Sequence, residues 1–301
     1  MIIFNYLLVC LIFGTTFLAI KVGADAHTPP FFSAGLRFTV AGIILFLWMV
    51  WRKKASLALL FRKEVLLTGI GLTFGTFSAL YWAEQYVSSG IAAVLSATGP
   101  MMILIMQTFV MRLKATALSI FGCILGFAGI VLLLLPSLTV TANKVWVFGC
   151  IAILIGEIFY SSGALYSKQV IQRFPQTSPI ALNAAQMIMG GLLLLILSSF
   201  TEQVDIKGML TTKVIGPLLY LIVIGSMVGH SLFYWLVAKT NPVFPSTWLY
   251  VSPLIALAIG MLFYGEKITW LMAAGVLTII GGTICANLDS LKQLFHRRKT
   301  V

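Results

Sequence analysis

Apolar residues run along the chain in ten blocks separated by short polar punctuation, with approximate limits 3–21, 31–51, 66–85, 90–111, 116–135, 145–167, 180–199, 214–237, 244–264 and 269–287. A helix needs about 20 apolar residues to cross the hydrocarbon of a bilayer. The pattern therefore predicts ten membrane-spanning helices. The loops between them are short and leave no room for a soluble domain.

Composition agrees, since 60% of the 301 residues are hydrophobic, 9% are charged and the mean hydropathy is +1.03. A soluble globule built from this chain would lack the polar surface to cover itself. The formal net charge of +12 invites a nucleic-acid partner, but its placement argues against one. With a cytoplasmic N-terminus, 14 of the 20 basic residues fall at inside span ends, 5 fall at outside ends, and Arg37 lies within the second span. That bias predicts both termini in the cytoplasm of a bacterial cell membrane, and a basic surface drawn to anionic lipid. Cys10, Cys123, Cys150 and Cys285 all sit in apolar blocks without CxxC spacing, and read as packing residues rather than disulfides or metal ligands. The "ADA" at 24–26 mimics a signal-peptidase site, but the apolar run before it is too long and lacks a basic leader, so an uncleaved first span is expected.

The chain repeats itself. At an offset of 153, Ser78 falls on Ser231, Tyr81 on Tyr234, Trp82 on Trp235, Pro100 on Pro253, Lys114 on Lys267, Thr116 on Thr269, Gly122 on Gly275 and Gly129 on Gly282. An offset of 147 places "FGTTFLAIK" (13–21) on "YSSGALYSK" (160–168), and 149 places "AGIILFL" (41–47) on "GGLLLLI" (190–196). Five spans per copy is an odd number, so the second copy enters the membrane from the opposite side. The expected organisation is a first repeat over 1–138, an inverted second repeat over 139–291 and a basic cytoplasmic tail over 292–301. Inverted repeats are the architecture of alternating access around a site near the midplane.

These features carry a family resemblance. The two five-span halves, "FGTTFLAIK" in the first span, the arginine of "AGLRF" in the second, "YWAEQYVSSGIAAVLSATGP" at 81–100 and "FGCILGFAGIVLL" in the fifth together resemble the EamA branch of the drug/metabolite transporter superfamily over residues 3–287. The "AEQYVSSGIAAVL" spelling is most similar to the subset that includes pigment and metabolite exporters of the PecM type. The resemblance implies an all-α integral membrane protein with ten transmembrane helices in two inverted five-helix repeats. It also implies a secondary transporter, and an exporter of small metabolites, amino acid-like compounds or drugs. Family members usually end the fourth and ninth spans with a small residue and a glutamate. The ninth keeps this as "YGEK" with Glu266, but the fourth has "MRLK" with Leu113 in the acid's place. That asymmetry favours a structural role for Glu266 at a helix end.

Charges in hydrocarbon cost at least about 2.5 kcal/mol each, so every one inside a span invites a functional reading. Glu157, near the middle of the sixth span, can take up a proton, meet a cationic substrate group, or merely tie helices together; Thr15, Thr16, Ser161 and Ser162 are its expected polar neighbours. Arg37, Glu84 and Lys21 share the outer half, where Arg37 and Glu84 make either a structural ion pair or an extracellular gate. His230 stands where the first repeat has Phe77, as a proton acceptor or a helix-to-helix hydrogen bond. Tyr81, Trp82, Tyr234 and Trp235, with Trp248 and Tyr250, line a cavity or form interfacial belts. Pro100 and Pro253 interrupt matching positions of the fourth and ninth spans, as helix breaks at a midplane site do. Gly71/Gly75 and Gly122/Gly126 form GxxxG pairs that indicate close packing.

No Walker A motif, HExxH or other cofactor or metal signature is present, which argues against ATP-driven pumping by this chain alone and against zinc hydrolysis. "YSSG" at 160–163 with His230 distantly resembles an intramembrane serine hydrolase, but Tyr160 replaces the usual glycine and that chemistry needs no inverted repeat. An uncoupled facilitator of the same fold is the other alternative. The expected partners are a small-molecule substrate, protons and membrane lipid, with no nucleic acid. Both halves of the pathway lie in one chain, so a monomer suffices.

Overall fold

A computed structural model describes all residues except 110–111, 113–114, 136–142, 206–208, 210, 256–268 and 300–301. Among the described residues eight helices are long and apolar enough to cross a membrane: Ile2–Asp25, Pro30–Trp51, Lys63–Ala83, Ile91–Phe109, Lys144–Arg173, Pro179–Thr201, Thr212–Lys239 and Trp270–Leu288. Two shorter apolar helices, Ala117–Leu133 and Val243–Ile255, fill the fifth and ninth places of the sequence pattern. The protein is thus an all-α membrane protein of about ten helices, in which backbone polar groups are satisfied within each span. The ten are called spans 1 to 10 in chain order.

Three departures from straight helices matter. Span 4 breaks at Ala97–Thr98, between helices Ser89–Ser96 and Gly99–Phe109. Pro100 thereby occupies the first turn of the second half-helix, where its missing N–H has no helical acceptor to lose. Span 9 turns at Thr247, six residues before Pro253, so the second expected proline break is displaced. The reason lies in its partners: the Thr247 hydroxyl meets Tyr6 at 2.8 Å, accepts from Asn287 at 3.0 Å and donates to the Phe244 carbonyl at 2.8 Å. Spans 3 and 8 each contain a π segment, Ile70–Gly75 and Leu221–His230. At the 153-residue offset the first falls inside the second. The Thr76 hydroxyl reaches back to the Gly71 carbonyl at 2.8 Å, supplying a donor to the widened turn.

Close packing follows the glycines, and it is reciprocal. A Cβ added to Gly122 of span 5 would lie 2.7 Å from the Ala286 Cα of span 10, and one added to Gly275 would lie 2.9 Å from the Leu133 Cα; the offset maps Gly122 on Gly275 and Leu133 on Ala286. Gly129 and Gly282 repeat the exchange against Ile279 and Gly126. Spans 2 and 7 do the same, Gly42 against Ala184 and Ile188, Gly191 against Gly35 and Thr39. Gly71 meets Gly163, and Gly75 faces the Phe159 ring. These GxxxG glycines do allow close helix contact.

The final helix runs unbroken over Trp270–Lys299, so most of the expected tail continues span 10. The expected repeat boundary at 138, Leu113 and Glu266 lie outside the described residues.

Candidate functional site

A central cavity of about 50 Å³ lies among spans 1, 2, 3, 4, 6, 8 and 9. Much of its wall comes from positions that the sequence offsets pair: Phe13 with Tyr160, Phe77 with His230, Leu80 with Phe233, and Ser96 with Leu249. The chain therefore folds the same positions of both halves onto one space. Aromatic rings dominate it, with Phe17 and Trp248 completing the set.

Arg37, Glu157 and His230 share this wall. Arg37 is 1% exposed and donates from Nε to the Ser226 hydroxyl at 2.8 Å and from one terminal nitrogen to the Tyr81 hydroxyl at 3.1 Å. Its guanidinium carbon lies 4.6 Å from the Phe38 ring centroid and 5.4 Å from that of Phe77. No carboxylate pairs with it among the described residues. The other terminal nitrogen sits against Gly225, where an added Cβ would come within 3.0 Å. A buried cation held only by hydroxyls and ring faces keeps a positive charge that can receive an anion.

Glu157 is buried, and its Oε2 has no hydrogen-bond partner among the described residues. That oxygen faces Gly99, the first residue of the second half-helix of span 4, so closely that a Cβ there would lie 2.5 Å away. The positive end of a half-helix dipole thus abuts a carboxylate. The His230 imidazole makes no hydrogen bond among the described residues. Instead the Phe13, Phe38 and Phe77 rings surround it with centroids at 5.1, 5.4 and 5.8 Å.

The arginine has a neutral counterpart. At the 149-residue offset Arg37 falls on Gln186, and at 153 Thr73 falls on Ser226. Thr73 donates to Gln186 Oε1 at 2.8 Å, just as Arg37 donates to Ser226. Each bond joins the second span of one half to the π segment of the other.

Other expected site residues fall elsewhere. Thr16 reaches the cavity wall, but the Thr15 hydroxyl turns to the Tyr220 hydroxyl. Ser161 donates to the Gly99 carbonyl at 3.2 Å, whereas Ser162 is exposed and bonds its own helix at Ile158. Neither serine bonds His230, so no hydrolytic dyad is assembled among the described residues. Tyr81 supports Arg37 from outside the cavity, Trp82 meets Tyr86 edge-to-face, Tyr234 is buried in packing, and Trp235 packs against the core. Tyr250 is buried against Gly126, its hydroxyl donating to the Cys123 carbonyl at 3.2 Å. The Arg37–Glu84 pair is not made, because Arg37 is turned toward span 8. Glu84 is fully buried with both carboxylate oxygens unpartnered among the described residues, while Lys21 pairs with Asp25 at 3.0 Å.

From the central cavity a string of spaces leads toward the Lys21 end. Ile20 lines both it and a 10 Å³ gap against Tyr81 and Leu218. Ala24, Thr28 and Pro30 line both that gap and a 520 Å³ vestibule bounded by Lys21, Asp25, Gln85 and Glu202. Glu202 also accepts from the Phe31 and Phe32 backbone at 2.8 and 2.9 Å, fixing the start of span 2.

The model of the EamA-like transporter family matches residues 1–135 and again 147–288. The chain belongs to the EamA-like transporter family. Among its relatives, the uncharacterized inner membrane transporter YedA of Escherichia coli is 30% identical, over 97% of this chain and 91% of its own. The uncharacterized transporter YoaV of Bacillus subtilis is 26% identical over 97% and 96%. A probable amino-acid metabolite efflux pump of Salmonella typhimurium is 25% identical over 93% and 92%. A solved crystal structure of a protein shares the fold with a TM-score of 0.74, covering 95% of this chain and 96% of its own at 18% identity. This EamA-like protein is accordingly a multi-pass membrane transporter of small molecules.

Proposed function

We propose that this transporter exports small zwitterions with an apolar or aromatic body, amino acid-like compounds, by alternating access between two inverted repeats. Both termini lie in the cytoplasm in this reading, and one chain suffices. The observation that carries it is a ring-lined cavity with an unneutralised arginine and a carboxylate on its wall. Arg37 takes the substrate carboxylate, Glu157 takes its ammonium or a coupling proton, and the rings take the side chain. A cavity of about 50 Å³ holds only a few water molecules at about 10–15 Å³ of such space each. Substrate entry therefore requires the walls to part.

The test is counterflow in proteoliposomes, comparing amino acids with the amines that lack their carboxylate, with and without a pH gradient. Zwitterions are expected to exchange at least about tenfold better, one good hydrogen-bonded ion contact being worth about 1.5–3 kcal/mol. Glu157→Gln should abolish pH-gradient-driven flux while leaving insertion intact. Undiminished flux and pH dependence in that variant would sink the assignment. Strictly downhill flux that ignores pH would identify an uncoupled facilitator.

A further inference from the structure

Lys21 and Lys168 are equivalent at the 147-residue offset, and their acceptors are equivalent too. Lys168 Nζ donates to the carbonyls of Val237, Ala238 and Thr240 at 2.8, 3.2 and 2.9 Å. Lys21 Nζ donates to the Glu84 carbonyl at 3.3 Å. The 153-residue offset places Glu84 on Val237. In each half, then, a lysine late in the first span reaches the C-terminal end of the third. Carbonyls there lack helical partners and carry the negative end of the dipole, which an ammonium with three donors suits.

The two ends are unequal. Lys168 commits itself to three carbonyls, whereas Lys21 keeps one long bond and turns to Asp25 at 3.0 Å. The string of spaces from the central cavity leads to the Lys21 end, where the vestibule lies.

We propose that Lys21 and Lys168 are paired positioning residues, latches that alternately hold one end of the transporter shut while the other is open. The present geometry has the Lys168 end latched and the Lys21 end released. Glu84 gives the Lys21 latch an acceptor of its own: its buried, unpartnered carboxylate belongs to the residue whose carbonyl Lys21 already touches. As that end closes, Lys21 exchanges Asp25 for the Glu84 carboxylate. Val237 stands at the matching place in the second half, so the Lys168 latch works through carbonyls.

This inference rests on alternating access, and the experiment separates the two. A single cysteine introduced by Thr76→Cys on the cavity wall, with the four native cysteines replaced, is labelled from each side of oriented vesicles with a membrane-impermeant thiol reagent. Lys168→Met should raise the rate from the Lys168 side about tenfold, as loss of charge-assisted bonds implies. Lys168→Arg should restore much of the original balance. Lys21→Met should shift labelling the other way. Shifts in the same direction, or no shift in folded protein, overturn the latches. If Lys168→Met fails to insert, Lys21→Met decides alone: faster labelling from the Lys21 side supports the latches, and unchanged labelling overturns them. Labelling of the Thr76→Cys background from one side only overturns alternating access, and the latches with it.

Discussion

Gly99 begins the second half-helix of span 4 with its Cα turned to the Glu157 carboxylate, and replacing it with alanine is a sharp probe of the site. The new methyl would lie 2.5 Å from Glu157 Oε2, 3.1 Å from Leu249 Cδ1 and 3.4 Å from Tyr160 Cδ1. The first distance is about 0.9 Å short of the 3.4 Å at which ordinary contact begins. Overpacking of this kind costs about 1–3 kcal/mol, and here the group that must yield is the carboxylate proposed to handle substrate or proton. We expect Gly99→Ala to lower counterflow about tenfold or more, with only a modest fall in melting temperature in detergent. Glu157→Asp shortens the side chain by one methylene and makes room for the methyl. The double variant Gly99→Ala/Glu157→Asp should therefore exceed the product of the two single effects by about 0.5–3 kcal/mol of coupling. Wild-type flux in Gly99→Ala, or a double-mutant cycle with no coupling, would refute the contact as the determinant of transport.

Thr73→Val should destabilise the protein by about 1–3 kcal/mol, because it strips the buried Gln186 Oε1 of its donor; Thr73→Ser should not, and thermal unfolding in detergent compares them. Gly282→Ala pushes a methyl to 2.3 Å from the Gly126 backbone nitrogen and should cost at least about 1–3 kcal/mol in the same assay, while Gly216→Ala, with nothing within 4 Å, should be neutral by that measure.

The spans were legible because ten apolar blocks of bilayer length can be read without knowing what they touch. The contacts of Gly71/Gly75 and Gly122/Gly126 were legible too, since a GxxxG pair states its own packing, whereas the seam glycines of spans 2 and 7 form no such pair. The site was legible only in its charges. Glu157 and Arg37 announced themselves as ionisable groups in hydrocarbon, but Arg37 was matched with Glu84, an acid on the same side of the membrane. Its actual partners, Ser226 and Tyr81, come from spans 8 and 3, and a serine 189 residues away carries no signal that names an arginine. The cavity wall was hidden differently. Phe13 and Tyr160, or Ser96 and Leu249, occupy equivalent positions but differ in type, so a search for identical residues passes over them. It finds Tyr81/Tyr234 and Trp82/Trp235 instead, which repeat faithfully but do not line the central cavity. The π segments left no trace because one extra residue in a turn leaves the length and overall apolar character of spans 3 and 8 almost unchanged.

The glycine seams between spans 5 and 10, and between spans 2 and 7, have a mechanical consequence. Where a glycine lets backbone approach backbone, neighbouring helices can tilt about the contact more readily than they can separate, which would forfeit the close packing. Such a seam is a fulcrum. Under the proposed alternating access the two halves would turn on it as levers, and the displacement at any point would grow with its distance from the seam. A small rotation between Gly122 and Ala286 would thereby be magnified at points remote from the seam.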